Sequence, residues 1–133
     1  MLAGCLPAAG VGRLCPVPTT VLIVDDHAGF RRAARAVLEA EGFTVVGESA
    51  TGAEALAAVA LLRPRLVLLD VGLPDLDGIE VAGRLTTADR ALHVVLTSSR
   101  DAADYRSLLR GCGACGFIPK AELSGAAVAA LAA

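Results

Sequence analysis

The stretch Arg65-Leu66-Val67-Leu68-Leu69-Asp70-Val71-Gly72-Leu73-Pro74-Asp75-Leu76-Asp77-Gly78 decides how this chain folds. Four consecutive apolar residues, Leu66 to Leu69, run into a single carboxylate, and a loop rich in turn formers follows. An unbroken aliphatic run just after Pro64 reads as a strand buried on both faces, because a solvated face would alternate with polar residues. Leu73-Pro74 and Asp77-Gly78 mark the turn that precedes the next helical pattern. Asp70 therefore falls at the carboxyl end of a central parallel strand, the edge at which open α/β sheets bind ligands. An aspartate after a strand also serves commonly as a helix N-cap. Which role Asp70 has depends on what the rest of the chain brings beside it.

Val21-Leu22-Ile23-Val24 is a second aliphatic run, and it ends in Asp25-Asp26. From Ala28 to Glu41 the residues Phe30, Ala33, Ala34, Val37 and Leu38 keep helical spacing, and Gly42 is placed to cap that helix. Thr44-Val45-Val46-Gly47 predicts a third strand. Thr51 and Glu54 form a capping-box pair at the head of a helix that Pro64 ends. Beyond the central strand a short helix is expected from Ile79 to about Leu85, then a strand over His93–Thr97. Asp101 is placed to cap a helix running through Arg110, which Gly111 and Gly113 break. Gly116-Phe117-Ile118-Pro119-Lys120 predicts a brief fifth strand, and Ser124 to Leu131 a weak, alanine-rich last helix.

Strand–helix alternation five times over, with short connections, implies an α/β fold: a doubly wound, five-stranded parallel sheet flanked by five helices. The flavodoxin-like strand order 2-1-3-4-5 makes strands 1 and 3 neighbours, with the switch point beside strand 1. Asp25, Asp26 and Asp70 would then converge.

Composition narrows the function classes. A chain of 133 residues is one domain by prior, and 55% apolar with 3% aromatic residues gives an aliphatic, alanine-rich core. No apolar run approaches the ~20 residues that span a bilayer, and a formal charge of −2 leaves no electrostatic footprint for nucleic acid. Direct DNA binding and membrane insertion are thus not expected of this chain. Residues 1–19 read as a disordered tail; Leu2-Ala3-Gly4-Cys5 looks like a lipoprotein cleavage site but lacks the basic and apolar regions that precede one. Residues 20–133 form the domain. Of four cysteines, Cys5 and Cys15 lie in the tail and Cys112 and Cys115 have C-x-x-C spacing. With no second close pair, and with His27 and His93 isolated in sequence, a zinc site is not indicated. A late pair is also poorly placed for a thioredoxin-type dithiol.

Three carboxylates brought close together repel one another, and a hard divalent cation resolves the conflict with oxygen ligands. An open site with few ligands suits Mg²⁺, which keeps several waters and favours carboxylates plus phosphate. Lys120 at the end of strand 5 adds a positive charge on the same edge, and Thr97 a hydroxyl from strand 4. A carboxylate nucleophile, a metal, a lysine and a hydroxyl are what in-line phosphoryl transfer needs. Neither histidine is expected to act as a general base toward water, so the product would be a mixed anhydride on Asp70 that lasts long enough to be read.

Val24-Asp25-Asp26-His27, the Asp70–Gly78 loop, Leu96-Thr97-Ser98 and Gly116-Phe117-Ile118-Pro119-Lys120 together resemble the receiver domain of two-component response regulators. The likeness covers about residues 20–133, and the gaps of 44, 27 and 23 residues between Asp26, Asp70, Thr97 and Lys120 keep the motifs in order. Asp26-His27, Gly47-Glu48 and Pro119-Lys120-Ala121-Glu122-Leu123 look closest to the NarL/FixJ-type branch, which usually precedes a helix-turn-helix DNA-binding domain. The resemblance implies a cytoplasmic signalling domain, not an enzyme beyond its own phosphorylation and dephosphorylation. Asp70 would accept phosphate from a sensor histidine kinase or phosphotransfer protein. Asp26 and Asp70 would ligate Mg²⁺ with the backbone carbonyl of Gly72, and Asp25 would hold a metal-bound water. Lys120 would contact the phosphate. Thr97 would swing toward it, and Phe117 would turn inward behind Thr97. That movement would reshape the face made by the fourth helix, fifth strand and fifth helix, which also serves homodimers.

The chain departs from the family pattern in places. Many receivers have proline after the lysine, where this chain has Ala121, so the reach of Lys120 is less constrained. The last helix is short. Gly72 and Ser99, each two residues beyond a site residue, are small, so the acyl phosphate is expected to be short-lived for its class. Three other readings compete. A haloacid-dehalogenase-type phosphatase would want a second carboxylate where Gly72 stands. A non-phosphorylated pseudo-receiver would typically have lost an acid or the lysine. A redox switch would act through Cys112 and Cys115.

Overall fold

The computed structural model describes residues 19–99, 113–114 and 116–132. Strands β1 (Thr20–Val24), β2 (Thr44–Ser49), β3 (Leu66–Asp70), β4 (His93–Ser98) and β5 (Gly116–Pro119) form one parallel sheet in the order β2-β1-β3-β4-β5. The described helices are α1 (Ala28–Glu41), α2 (Gly52–Leu62), α3 (Gly78–Ala88) and α4 (Gly125–Ala132). The expected doubly wound architecture and strand order are borne out. The helix expected from Asp101 through Arg110 lies outside the described residues, as do residues 1–18 and all four cysteines, Cys112 and Cys115 included.

The aliphatic runs are buried because each middle strand is covered twice. Every residue of β3 is buried, and its side chains alternate between two cores. Val67 and Leu69 join Leu22, Val24, Val94 and Leu96 beneath α2 and α3. Leu66 and Leu68 join Val21, Ile23 and Val95 beneath α1 and α4. A period-2 backbone with apolar groups on both sides can only sit in such a three-layer arrangement. Among the described residues no helix is long and apolar enough to cross a membrane.

Capping follows the sequence closely. Gly42 closes α1 in the left-handed region at φ 107°, where glycine has no Cβ to clash. Thr51 Oγ1 accepts the Glu54 N–H at 3.1 Å, and Glu54 Oε1 accepts the Ala50 N–H at 3.0 Å. Asp77 Oδ1 accepts the Ile79 N–H at 2.8 Å and starts α3, so Asp77, and not Asp70, has the capping role. Several boundaries differ from expectation. Strands β2 and β4 run on to Ser49 and Ser98, helix α3 continues to Ala88, and Lys120 is not the last residue of β5 but opens a short 3₁₀ turn, Lys120–Glu122.

One long-range cap carries no signal in the sequence. Asp75 Oδ1 and Oδ2 accept the Gly52 and Ala53 N–H groups at 2.7 and 3.0 Å, tying the β3–α3 loop to the start of α2. These bonds hold the Asp75 carboxyl below its usual value and satisfy donors that a helix start leaves free. The loop is fixed at its other end by Gly78, whose N–H donates to the Val71 carbonyl at 2.9 Å. A Cβ on Gly78 would collide with the Asp70 carbonyl oxygen and stand 2.6 Å from Val71 Cα, both backbone atoms that cannot yield cheaply. Gly78→Ala is therefore expected to lower the free energy of unfolding by about 1–3 kcal/mol, read as a lower urea midpoint. Gly29→Ala in α1, where a Cβ meets nothing within 4 Å, should instead raise it by about 0.4–1 kcal/mol.

Candidate functional site

Register brings the candidate residues together at the carboxyl edge of the sheet. Val24 pairs with Leu69, so Asp25 and Asp70 follow on adjacent strands at the next rung. Asp70 pairs with Thr97, Thr97 with Ile118, and Ser98 with Pro119, which sets Lys120 one rung beyond. Four separate segments thus deliver Asp25, Asp26, Asp70, Thr97 and Lys120 to one place.

One ligand atom each from Asp25, Asp26, His27 and Asp70 lies within 4.8 Å of all the others. Asp25 is wholly buried and Asp70 nearly so, while the Asp26 side chain is 33% exposed. Asp25 Oδ1 accepts the His27 N–H at 2.8 Å. Its Oδ2 meets the Lys120 ammonium at 2.6 Å, and the same ammonium stands 3.6 Å from Asp70 Oδ2. Asp70 Oδ1 accepts the Gly72 N–H at 3.2 Å. Burial first, then the nearby Asp25 charge, push the Asp70 carboxyl above its usual value; the Gly72 N–H and Lys120 pull the other way. The Thr97 hydroxyl is buried with no hydrogen-bond partner. Such an orphan is costly unless something else supplies a bond.

The donor set fits a hard cation. Carboxylate oxygens crowd one edge, repelling one another, and the Lys120 ammonium balances only part of their charge. A divalent ion with oxygen preference removes that conflict, and an anionic oxygen arriving at the same edge would meet Lys120 and Thr97.

Some of the site escapes sequence reasoning. His27, isolated in sequence from other zinc-type ligands, places Nδ1 3.2 Å from Asp25 and 3.1 Å from Asp26 while remaining 71% exposed; its position next to Asp26 is the available signal. Arg31, one turn into α1, donates from Nη1 to the Asp25 carbonyl at 2.6 Å and from Nε to Glu48 at 3.0 Å, so it braces the end of β1 from behind. Arg35 donates to the other Glu48 oxygen at 2.9 Å and is the main reason that Glu48 sits below its usual value. The sequence also holds a signal for Lys120: it is the only lysine among 12 basic residues. A chain that otherwise uses arginine places its one compact, rotatable ammonium here, beside two carboxylates, and the two cations are not interchangeable. Phe117 pairs with Leu96 and packs, half-buried, in the layer beneath α2 and α3. Ile118, not Phe117, shares the rung and face of Thr97.

Residues 21–132 match the family of the response regulator receiver domain. The chain belongs to that family. A Pseudomonas aeruginosa protein described as a transcriptional regulator is 42% identical over 102 residues, which are 77% of this receiver and 49% of that protein. BvgA of Bordetella pertussis, described as a positive transcription regulator of virulence factors, is 39% identical over 102 residues, with the same 77% and 49% coverage. The signal receiver domain of NarL from Mycobacterium tuberculosis is 30% identical and superposes with a TM-score of 0.77 over 87% of this receiver and 98% of that chain. The expected likeness to the NarL branch is borne out. The receiver spans about half the length of the curated relatives it matches.

The raised Asp70 carboxyl has a consequence for stability. A carboxylate whose folded value lies above its unfolded one costs stability once pH rises through that folded value, and costs nothing when both states are protonated. Asp70→Asn should therefore raise the melting temperature of the metal-free receiver by a few degrees at pH 7. The gain should shrink toward zero as the pH approaches about 4, the usual carboxylate range, in a melting series across pH.

Proposed function

We propose that this receiver is the phosphoacceptor of a two-component pathway, with Asp70 as the residue that takes the phosphoryl group. The observation that carries the reading is the ammonium of Lys120 held between two buried carboxylates, 2.6 Å from Asp25 and 3.6 Å from Asp70, at a strand edge that also holds an unpartnered Thr97 hydroxyl.

Asp26, Asp70 and the backbone carbonyl of Gly72 would hold Mg²⁺, with Asp25 acting through a bound water. The ion supplies charge neutralisation for carboxylates and phosphoryl oxygens together. An ionised Asp70 oxygen attacks phosphorus in line with the phosphoramidate bond of a phosphohistidine on a sensor kinase or phosphotransfer protein. The P–O bond forms as the P–N bond breaks, and the imidazole leaves with the bonding pair and takes up a proton. Lys120 balances charge on an equatorial oxygen, and Thr97 can donate a hydrogen bond to another. Nothing further is asked of the protein, and the family is generally a signalling one.

The proposed output rests on the relatives. Both are described as transcription regulators, so a reading in which phosphorylation biases a two-state element toward a transcriptional output is the one they support. Thr97 and Phe117 would relay the change. They lie on adjacent strands but in opposite layers, so the relay would pass through the β4–β5 pairing to the expected output face. Homodimerisation through that face belongs to the same proposal.

Intact mass after incubation with acetyl phosphate tests the reading. A gain of one phosphoryl group that requires Mg²⁺ and disappears in Asp70→Asn is expected. No gain in a folded protein that still binds Mg²⁺ would sink it.

Gly72 has open space around it, since a Cβ there meets nothing within 4 Å, and Ser99 is exposed. Water thus has a clear approach to the acyl phosphate. Gly72→Arg or Ser99→Tyr should lengthen the lifetime of the phosphorylated form several-fold, measured as decay of the phosphoprotein after the donor is removed; an unchanged lifetime would contradict this.

A further inference from the structure

Lys120 is held on three sides, and only two of them are carboxylates. The third is Phe30, whose ring centroid lies 4.5 Å from the ammonium. An ammonium within about 6 Å of a ring face is attracted by the negative face of the ring. Phe30 is the third residue of α1, and the apolar spacing of that helix explains it as a core residue. It does pack, half-buried, against the core beneath α1 and α4. Packing of that kind asks only for an apolar side chain, whereas an aliphatic one would offer the ammonium no ring face.

The ring matters because the residue after Lys120 is not proline. Ala121 leaves φ free, and the Leu123 N–H reaches back to the Lys120 carbonyl through a long bond of 3.3 Å. The side chain of Lys120 is long and loses rotamer freedom when it is held in one place. Asp25 alone would hold it 2.6 Å away on the acidic side of the site. A ring face 4.5 Å from the ammonium gives it a further contact beside the two carboxylates, one that favours the observed position over others open to a long, flexible side chain.

We propose that Phe30 is a positioning residue for Lys120: its ring face holds the ammonium at the edge between Asp25 and Asp70, where a phosphoryl oxygen would arrive. The inference rests on the phosphoacceptor reading above and adds to it a residue on α1 that takes no part in the chemistry.

Two variants separate the ring face from mere packing. Phe30→Leu keeps apolar volume and removes the ring; Phe30→Tyr keeps the ring. With beryllofluoride and Mg²⁺ as the probe, Phe30→Leu should bind the probe about three- to tenfold more weakly, Phe30→Tyr should match wild type, and the affinity for Mg²⁺ alone should be unchanged in both. Wild-type affinity in Phe30→Leu, or an equal loss in both variants, would overturn the proposal.

A second arm is independent of phosphoryl chemistry. Because Lys120 is the only lysine, protein grown with lysine labelled at the ε carbon gives one ε-methylene signal. A ring at 4.5 Å should shift that signal upfield, and Phe30→Leu should return it to the position of free lysine. If the signal does not move, Phe30 does not hold the ammonium, whatever the probe shows. If wild type fails to bind beryllofluoride while the signal moves, the ring contact stands and the phosphoacceptor reading falls.

Discussion

The structure turns on one electrostatic conflict: three carboxylates delivered to one sheet edge and answered there by the Lys120 ammonium. Asp25, Asp26 and Asp70 cannot be moved apart, because β1 and β3 are hydrogen-bonded neighbours and the rungs below are filled by Leu22, Val24, Val67 and Leu69. Core packing therefore forces together charges that repel. That repulsion is held at the edge, and a bound cation would relieve it. The ammonium stands closer to Asp25 than to Asp70, so it answers the more deeply buried of the two charges and leaves Asp70 the less neutralised.

Around that edge the fold limits what can move. The β3–α3 loop is fastened at one end by Gly78 against the Asp70 backbone and in its middle by Asp75 against the start of α2. Arg31 braces the Asp25 carbonyl from α1. The carboxylate side of the site is thus rigid, as a constellation for positioning should be. Thr97 is different, since its buried hydroxyl has no partner. On the proposed reading, that hydroxyl would gain a bond by turning toward an arriving phosphoryl oxygen.

The part of this chain that aligns makes up about half of each of these relatives, and the fold shows what this module contains by itself. Its acids, lysine and hydroxyl all sit at the carboxyl ends of strands, while both cores are closed by helices of the same chain. The residues of the proposed chemistry are therefore all supplied by this one domain.

Much of this is legible in the chain itself. Aliphatic runs ending in Asp25-Asp26 and Asp70, with helical spacing between them, determine a parallel sheet, because strands buried on two faces leave no other architecture. The sequence equally marked Gly42 and Thr51 as caps, since those bonds join residues three to five apart; that Asp77, read from the sequence only as part of a turn, caps α3 emerged from the structure. What it could not determine were contacts between distant segments. Asp75 capping α2, Arg31 behind Asp25, and Phe30 beneath Lys120 each join residues whose separation in sequence carries no period. His27 is adjacent to the acids in sequence, yet only the turn after β1 aims its ring back at them. Local bonding and periodicity are written along the chain; the company a side chain keeps is decided when strands from its two ends become neighbours.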